Sequence, residues 1–145
     1  MKKYLIVILA SIILFSCNKK QENCEKPSSD KKFDMYEMSE MAILMEQMYV
    51  DNERLKQRII KGDTIGKFPN HFLKIHSSVM TDKQENDDFF KQHASEFIKS
   101  QELIYKDPKN SKEHFNASID VCVKCHEVKC GGPIVRIKKL YIKYF

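Results

Sequence analysis

The stretch SKEHFNASIDVCVKCHEVKC, residues 111–130, decides the fold. In it Phe115, Ile119, Cys122 and His126 recur at steps of four, three and four residues, which is the spacing of one face of an α-helix. The sequence Gly-Gly-Pro follows directly and ends the helical pattern. The sequence therefore predicts a helix over residues 111–130, with this face turned toward a core.

Three stretches upstream also have helical periodicity. The first, residues 35–60, has apolar residues on one face, is interrupted only at Asn52, and stops at Gly62. The second begins at Pro69 and would turn Phe72, Ile75, His76 and Val79 inward. The third begins at the capping-box pattern Thr81-Asp82-Lys83-Gln84, ends at Asp107-Pro108, and would bury Phe90, Ala94, Phe97, Gln101 and Ile104.

Together these stretches predict an all-α fold, an antiparallel four-helix bundle over residues 35–130 whose last helix carries the site described below. Residues 131–145 form a C-terminal extension that we expect to pack on the bundle. The chain of 145 residues has the length of one domain, and its four Gly and four Pro exclude a loop-rich β-sandwich. The formal charge of +5 is spread evenly along the chain, so we expect no nucleic-acid partner.

The first sixteen residues read as an export signal. A basic start is followed by an apolar run too short for a comfortable membrane span, and Leu14-Phe15-Ser16-Cys17 has the pattern of a bacterial lipobox. We expect Cys17 to be lipid-modified and to begin the mature chain; a plain signal peptide cleaved nearby and an uncleaved anchor are the alternatives. Residues 17–34 are polar and would form a tether. The expected location is the periplasm or cell envelope, with a lipid anchor in a membrane.

The segment Cys122-Val123-Lys124-Cys125-His126 is the C-x-x-C-H attachment motif of c-type haem. Two thiols one helical turn apart can each close a thioether onto a haem vinyl group, and the next residue, His126, can approach the iron from the proximal side. A thioredoxin-like pair would instead need a helix N-terminus after a strand. A structural zinc site would need a second pair of ligands, for which Cys130 and a distant His are the available residues.

A single C-x-x-C-H late in the last helix of an exported, helical chain resembles the cytochrome c prime family. The resemblance covers about residues 35–130 and implies one covalent haem c on Cys122 and Cys125, with His126 as the proximal iron ligand. It also implies a left-handed four-helix bundle and a possible homodimer. The chain departs from the family's pattern in the residues after the ligand (Glu127 to Cys130 in place of a basic residue one turn on), in a short second helix, in the tail and in the Met-rich first helix.

The distal iron ligand is open in the sequence. In an up-down-up-down bundle the first and fourth helices are antiparallel neighbours, so His126 faces the start of the first helix. This selects Met41, ahead of Met38, over Met45 and Met48 as a distal ligand. Met at helical spacing also serves as core filler, which is the alternative. Two histidines near inner faces, His76 and His93, are further candidates.

Three other features bear on the site. Cys24 and Cys130 could pair as a disulfide outside the cytoplasm or stay as two free thiols. Arg136 or Lys138 of the tail could pair with a haem propionate. The sequence thus favours a membrane-tethered single-haem cytochrome that exchanges electrons with membrane-associated redox partners. A five-coordinate haem protein that binds nitric oxide or carbon monoxide is the alternative, and an enzyme is not expected because no distal acid–base pair is recognisable.

Overall fold

The computed structural model describes residues 37–143, and in this range all regular secondary structure is helical, with no strand. The α-helices are α1 (Glu40–Lys61), α2 (Asp88–Lys106), α3 (Ser111–Lys129) and the single turn α4 (Ile134–Ile137). Short 3-10 helices cover Asn70–His76, Lys83–Glu85, Pro108–Asn110 and Lys138–Leu140. The prediction of an all-α fold is confirmed. The predicted signal peptide, most of the tether, Cys17 and Cys24 lie outside the described residues.

Two hydrophobic clusters give the directions of the three long helices. The first contains Met41 near the start of α1, Phe90 near the start of α2 and Cys125 near the end of α3. The second contains the opposite ends of the same helices, represented by Leu55, Ile104 and Phe115. Helices α1 and α2 therefore run in one direction and α3 runs against both, so the end of α3 lies at the start of α1.

The ends of α1 follow the capping rules. The side chain of Ser39 accepts a hydrogen bond from the backbone N–H of Ala42, with 3.2 Å between the two atoms. Gly62 closes the helix in the left-handed conformation, with φ of 72°, which glycine adopts without a steric penalty. The predicted stop at Gly62 is confirmed, and the helix begins at Glu40, five residues later than the periodicity suggested.

The segment after Pro69 is a 3-10 helix, Asn70–His76, and does not form the longer α-helix predicted there. Phe72 and Ile75 are buried as predicted, and their spacing of three residues places them on one side of a helix with three residues per turn. His76 is exposed and Val79 is 51% exposed, so the prediction that both face the core was wrong. The backbone N–H groups of Ser77 and Ser78 both donate to the carbonyl of Lys74 and end the segment.

The predicted start of the third helix at Thr81 was also wrong, because α2 begins only at Asp88. The Thr81 hydroxyl donates to the Ser39 hydroxyl oxygen, 3.0 Å away, and so binds this loop to the start of α1. Asp82 caps the separate 3-10 helix Lys83–Glu85, and Asp87 accepts from the N–H of Phe90 as the N-cap of α2. Two successive aspartate caps replace the single capping box.

The described part of the tail, residues 131–143, packs against α1 and α3. Ile137, Leu140 and Ile142 are buried in the second hydrophobic cluster. Asn116 of α3 holds the end of the tail through two hydrogen bonds. Its side-chain nitrogen donates to the carbonyl of Ile142 at 2.9 Å, and its side-chain oxygen accepts from the N–H of Ile142 at 2.8 Å. The extension therefore completes the second cluster, and its Ile137 and Leu140 also lie beside Cys122 and His126.

A buried polar group joins the three long helices at mid-height. The amide nitrogen of Gln101 on α2 donates to the side-chain oxygen of Asn52 on α1 at 2.7 Å and to the hydroxyl of Ser118 on α3 at 3.0 Å. Asn52 donates in turn to the carbonyl of Met48. All three polar side chains are buried. Asn52, which interrupts the apolar face of α1 in the sequence, is thus an inward-facing hydrogen-bonding residue.

We predict that Asn52→Ala lowers the free energy of unfolding by about 1–3 kcal/mol, because it removes the acceptor of one buried N–H of Gln101, which keeps only its bond to Ser118. The measurement is urea denaturation of the protein and its variant, with the slope checked for two-state behaviour. Gln57→Ala is the matched control: it removes an amide on the same helix whose hydrogen bond to Glu53 is exposed, and should cost under about 0.5 kcal/mol. Equal losses in the two variants would contradict a structural role for the buried group.

Candidate functional site

The C-x-x-C-H motif occupies the last two turns of α3. The helix ends at Lys129, and Cys130 follows as its C-cap in an extended conformation, with φ of −156°. Cys122 and Cys125 both contact the first hydrophobic cluster while remaining partly accessible. Since α3 runs against α1, the three motif residues lie beside the start of α1, as the sequence predicted.

His126 has one ring nitrogen engaged and the other available. Its Nδ1 lies 3.1 Å from the carbonyl oxygen of Cys130 and 3.1 Å from the Sγ of the same residue. A carbonyl only accepts hydrogen bonds, so Nδ1 carries the proton and Nε2 presents a lone pair. Burial lowers the pKa of His126, with the bond to the Cys130 carbonyl opposing that shift, so the imidazole is neutral at pH 7. This is the tautomer that an iron ligand needs.

Both motif thiols stay protonated at neutral pH. Burial, with a smaller contribution from the neighbouring Cys125, raises the pKa of Cys122 to about 12. Burial, followed by the nearby Cys130, raises the pKa of Cys125 to about 11. Redox-active C-x-x-C pairs have the opposite property, a thiol whose pKa lies below the ordinary value. The electrostatics therefore disfavour the thioredoxin-like alternative.

A cavity of about 340 Å³ opens beside the motif, between the start of α1 and the end of α3. Apolar side chains line much of it, among them Met38, Met41, Met45, Met80 and Phe90. Cys125 and His126 lie on its α3 side, and polar groups from the loop before α2 lie at its rim. An apolar pocket with a few convergent polar groups is the usual form of a cofactor site.

Two smaller cavities adjoin the same motif residues. One of about 80 Å³ lies between Cys122, His126 and Arg136, and one of about 40 Å³ lies between Cys122, Cys125 and His93. His126 and Met45 line all three cavities. Rotation of the Met45 side chain alone would therefore change the boundary between all three spaces.

Met41 of α1 and Met38 just before it lie beside His126, as the antiparallel arrangement of α1 and α3 predicted. Met41 is buried and Met38 is 41% exposed, and both line the main cavity with His126. Met45 also lines this cavity, although the sequence argument ranked it deeper and less suitable. Met48 is buried and lines only the two smaller cavities. The packing thus brings three thioethers toward the motif.

Of the other histidines, one lies beside the motif. His93 lines the 40 Å³ cavity, and its Nδ1 lies 2.8 Å from the carbonyl oxygen of Phe89, on whose ring the imidazole stacks. His71 contacts Asp51 and His114 contacts Asp107, at 2.8 and 3.1 Å. His76 is exposed and lines none of the three cavities.

Lys129, three residues after His126, is a basic residue at the end of α3. Its side chain is only 14% exposed, and its ammonium binds Asp87 at 2.5 Å and Glu85 at 2.8 Å. The hydrogen bond from Lys129 lowers the pKa of Asp87, and the same bond raises the pKa of Lys129. These contacts fasten the loop before α2 to the end of α3, at the rim of the main cavity. The sequence analysis did not predict these two ion pairs, because a lysine three residues after His126 does not indicate which carboxylates it meets.

Of the two tail residues considered for a propionate, only Arg136 lies at the site. It lines the 80 Å³ cavity, binds both carboxylate oxygens of Glu46 at 2.6 and 2.7 Å, and stacks on the ring of Tyr49. Lys138 lines none of the three cavities beside the motif and lies instead on a separate cleft with the end of α1 and the start of α3.

The donor set fits haem better than a structural metal ion. Within residues 37–143 no group of three or more His, Cys, Asp and Glu side chains is arranged to hold a metal ion. The zinc alternative therefore lacks its second pair of ligands in this range. A haem supplies four of the iron ligands itself and needs from the protein a histidine nitrogen, two thiols and an apolar pocket. His126 Nε2, Cys122, Cys125 and the methionine-lined cavity meet these needs.

In the same described range, no helix combines the length and the apolar character needed to cross a membrane.

Comparisons of this chain with protein-family models, with curated proteins and with solved structures found no match. The function proposed below therefore rests on the residues of the chain and on their geometry.

Proposed function

We propose that the chain is a single-haem c-type cytochrome that transfers electrons at the cell envelope. Haem c would be held by thioethers to Cys122 and Cys125, with Nε2 of His126 as the proximal iron ligand. The observation that carries this proposal is the placement of Cys125 and His126 of the C-x-x-C-H motif against an apolar cavity, with Cys122 on the two smaller cavities beside it. The contact of His126 Nδ1 with the Cys130 carbonyl favours the Nδ1–H tautomer, which leaves Nε2 for the iron. When bound, the haem iron supplies a one-electron couple whose potential its ligands and surroundings set.

The protein's own residues would perform three tasks around that couple. The Cys130 carbonyl would orient His126 by accepting a hydrogen bond from Nδ1–H, which leaves Nε2 as the ligand nitrogen. The methionines that line the main cavity would exclude water from it. Arg136 lines the 80 Å³ cavity, and its guanidinium is suited to bind a haem propionate through two parallel hydrogen bonds. It would either replace Glu46 by the propionate or bind both carboxylates.

Electron transfer is favoured over gas binding because of the methionines. A thioether on the sixth position of iron leaves no open site, stabilises the ferrous state and requires little rearrangement between oxidation states. Three candidates, Met38, Met41 and Met45, line the main cavity with His126. The alternative function, capture of nitric oxide or carbon monoxide by a five-coordinate haem, would hold if these side chains serve only as packing.

We do not assign an enzymatic reaction to the site. Three carboxylates line the main cavity: Glu85 pairs with Lys129, Glu46 pairs with Arg136, and Asp82 accepts a hydrogen bond from the backbone N–H of Gln84. General acid–base catalysis on a distal ligand would need a titratable pair free to exchange protons with it.

The resemblance to the cytochrome c prime family belongs to the same proposal. The antiparallel four-helix bundle of that family would be represented by α1, α2 and α3, with the 3-10 segment Asn70–His76 standing for a reduced second helix. A homodimer is possible on the same analogy. The lipobox at Leu14-Phe15-Ser16-Cys17 would place the domain in the periplasm or cell envelope, anchored through Cys17 beside membrane-associated redox partners.

The covalent haem is tested by extraction and mass. Acid–acetone treatment of the purified holoprotein should leave the colour with the polypeptide, and the intact mass should exceed that of the apoprotein by one haem, because thioethers survive this treatment. Cys122→Ala and Cys125→Ala should each remove one thioether, and the double variant should release its haem. Cys130→Ala is the matched control, a cysteine at the same helix end that should retain the haem on both thioethers. Transfer of haem from the wild type into the organic layer would contradict the proposal.

The identity of the distal ligand is tested on the same holoprotein. If Met41 coordinates, the ferric protein should be low-spin and show the weak far-red sulfur-to-iron band, and Met41→Ala should abolish the band and increase carbon monoxide binding. Met45→Ala, also a cavity-lining methionine, is the control and should keep the band. Loss of the band in Met45→Ala alone would transfer the role to Met45. A high-spin, five-coordinate wild type would favour the gas-binding function.

A further inference from the structure

A second cleft, of about 760 Å³, lies between the last turns of α1 and the first turn of α3, the helix ends opposite those beside the C-x-x-C-H motif. Its third side is formed by Val135 of α4 and by the tail after α4. The first and last of these elements meet directly, because Lys56 donates from its ammonium to the carbonyl oxygen of Lys139 at 2.7 Å. The function proposed above makes no use of this cleft.

Half of the ten residues that line this cleft are lysines, and none is acidic: Lys56, Lys112, Lys138, Lys139 and Lys143. Lys112 aside, none of them forms an ion pair with a carboxylate of residues 37–143. At the motif end Lys129 and Arg136 are paired with carboxylates, whereas the exposed Lys124 forms no ion pair within residues 37–143. The cleft differs in that four lysines without an ion pair in this range lie together on one surface.

Apolar side chains project beside these ammonium groups. Val135 is 72% exposed and Ile60 is 54% exposed, and both line the cleft. Exposed aliphatic groups among lysines are typical of surfaces that lie in the interfacial region of a membrane, where the aliphatic groups enter the headgroup layer and the amines bind anionic lipid. A free anion such as phosphate would use the amines alone and would leave both aliphatic side chains exposed.

We propose that this cleft docks the domain on a membrane surface rich in anionic phospholipid, an inference that rests on the lipid anchor at Cys17 in the proposed function. The anchor would hold the domain near such a surface and so raise the effective concentration of headgroups around the cleft. The segment between Cys17 and Glu40 has 22 residues and can span at most about 70–80 Å. Helix α1 is about 33 Å long, so the far end of the domain can reach the membrane that holds the anchor.

Docking in this way sets the orientation of the haem site. Lys112 and His126 are fourteen residues apart on α3, which corresponds to about 21 Å along the helix axis. With the cleft on the membrane, the C-x-x-C-H end points into the aqueous phase. Redox partners would then approach the haem from the side away from the bilayer.

The test uses the haem-loaded chain from residue 17 onward with Cys17→Ser, so that no lipid contributes to binding. The described core lies wholly within residues 41–142, so the omission of residues 1–16 removes none of it. We expect sedimentation with vesicles of equimolar phosphatidylcholine and phosphatidylglycerol, none with pure phosphatidylcholine, and release by added salt. The double variant Lys138→Gln/Lys139→Gln should lower the partition coefficient by about 25-fold, from roughly fivefold for each lysine at an anionic surface.

The matched control is Lys83→Gln/Lys99→Gln, which removes the same charge from two exposed lysines outside the cleft and should change partitioning little. Val135→Ser should weaken vesicle binding at unchanged charge, which a purely electrostatic contact would not show. Equal effects of the two lysine pairs would overturn the proposal. So would binding of soluble polyglutamate at the cleft without binding to the vesicles, which would indicate an acidic protein partner.

Failure of docking can be separated from failure of the proposed function. If wild-type protein carries both the lipid on Cys17 and the covalent haem while the Cys17→Ser chain ignores anionic vesicles, the docking proposal is wrong and the cytochrome assignment stands. If the haem is extractable or Cys17 carries no lipid, the proposed function or its anchor is wrong, whatever the vesicles bind.

Discussion

The hydrogen bonds from Gln101 to Asn52 and Ser118 set the axial register of the three long helices, and the candidate site depends on that register. Met48 is one helical turn from Asn52, and Cys122 is one turn from Ser118 on the antiparallel helix. A slip of α1 or α3 by one turn would remove the acceptor that this helix provides to the buried Gln101 amide. An unsatisfied buried group costs about 1–3 kcal/mol, which is a large share of a domain stability of about 5–15 kcal/mol. The polar group therefore holds Cys122 and His126 opposite the methionines of α1.

Helical periodicity predicted the long elements well, because burial of one face is a local property of the sequence. Phe90, Ala94, Phe97, Gln101 and Ile104 are all buried, as the third stretch indicated. The short elements were predicted less well. The Thr81 pattern satisfies the rule for a capping box, but Thr81 binds Ser39, far away in the sequence, and Asp82 and Asp87 provide competing caps. Such a competition is decided by tertiary contacts that a local pattern does not contain.

The site shows the same difference between local and tertiary features. The spacing of the motif predicts Cys122, Cys125 and His126 as site residues, and the antiparallel helix direction predicts that they lie near the start of α1. The contact of Cys130 with Nδ1 of His126 arises because the chain turns to an extended conformation at Cys130, and no spacing rule indicates this turn. The position of Met45 on all three cavities also depends on side-chain packing, which the helical period does not resolve.

The two ends of the domain differ in how their charges are balanced, and this difference bears on electron transfer. At the motif end Lys129 lies between Asp87 and Glu85 and Arg136 lies on Glu46, so these charges are balanced by direct ion pairs. Contact with a redox partner would then depend largely on the exposed apolar and sulfur-bearing rim, including Met38 and Cys130. Weak, short-lived contacts of this kind suit a carrier that must release its partner after each electron, since small interfaces separate rapidly. In the proposed docking, the lysines of the cleft would hold the domain on the membrane, while redox partners would reach the proposed haem site from the motif end.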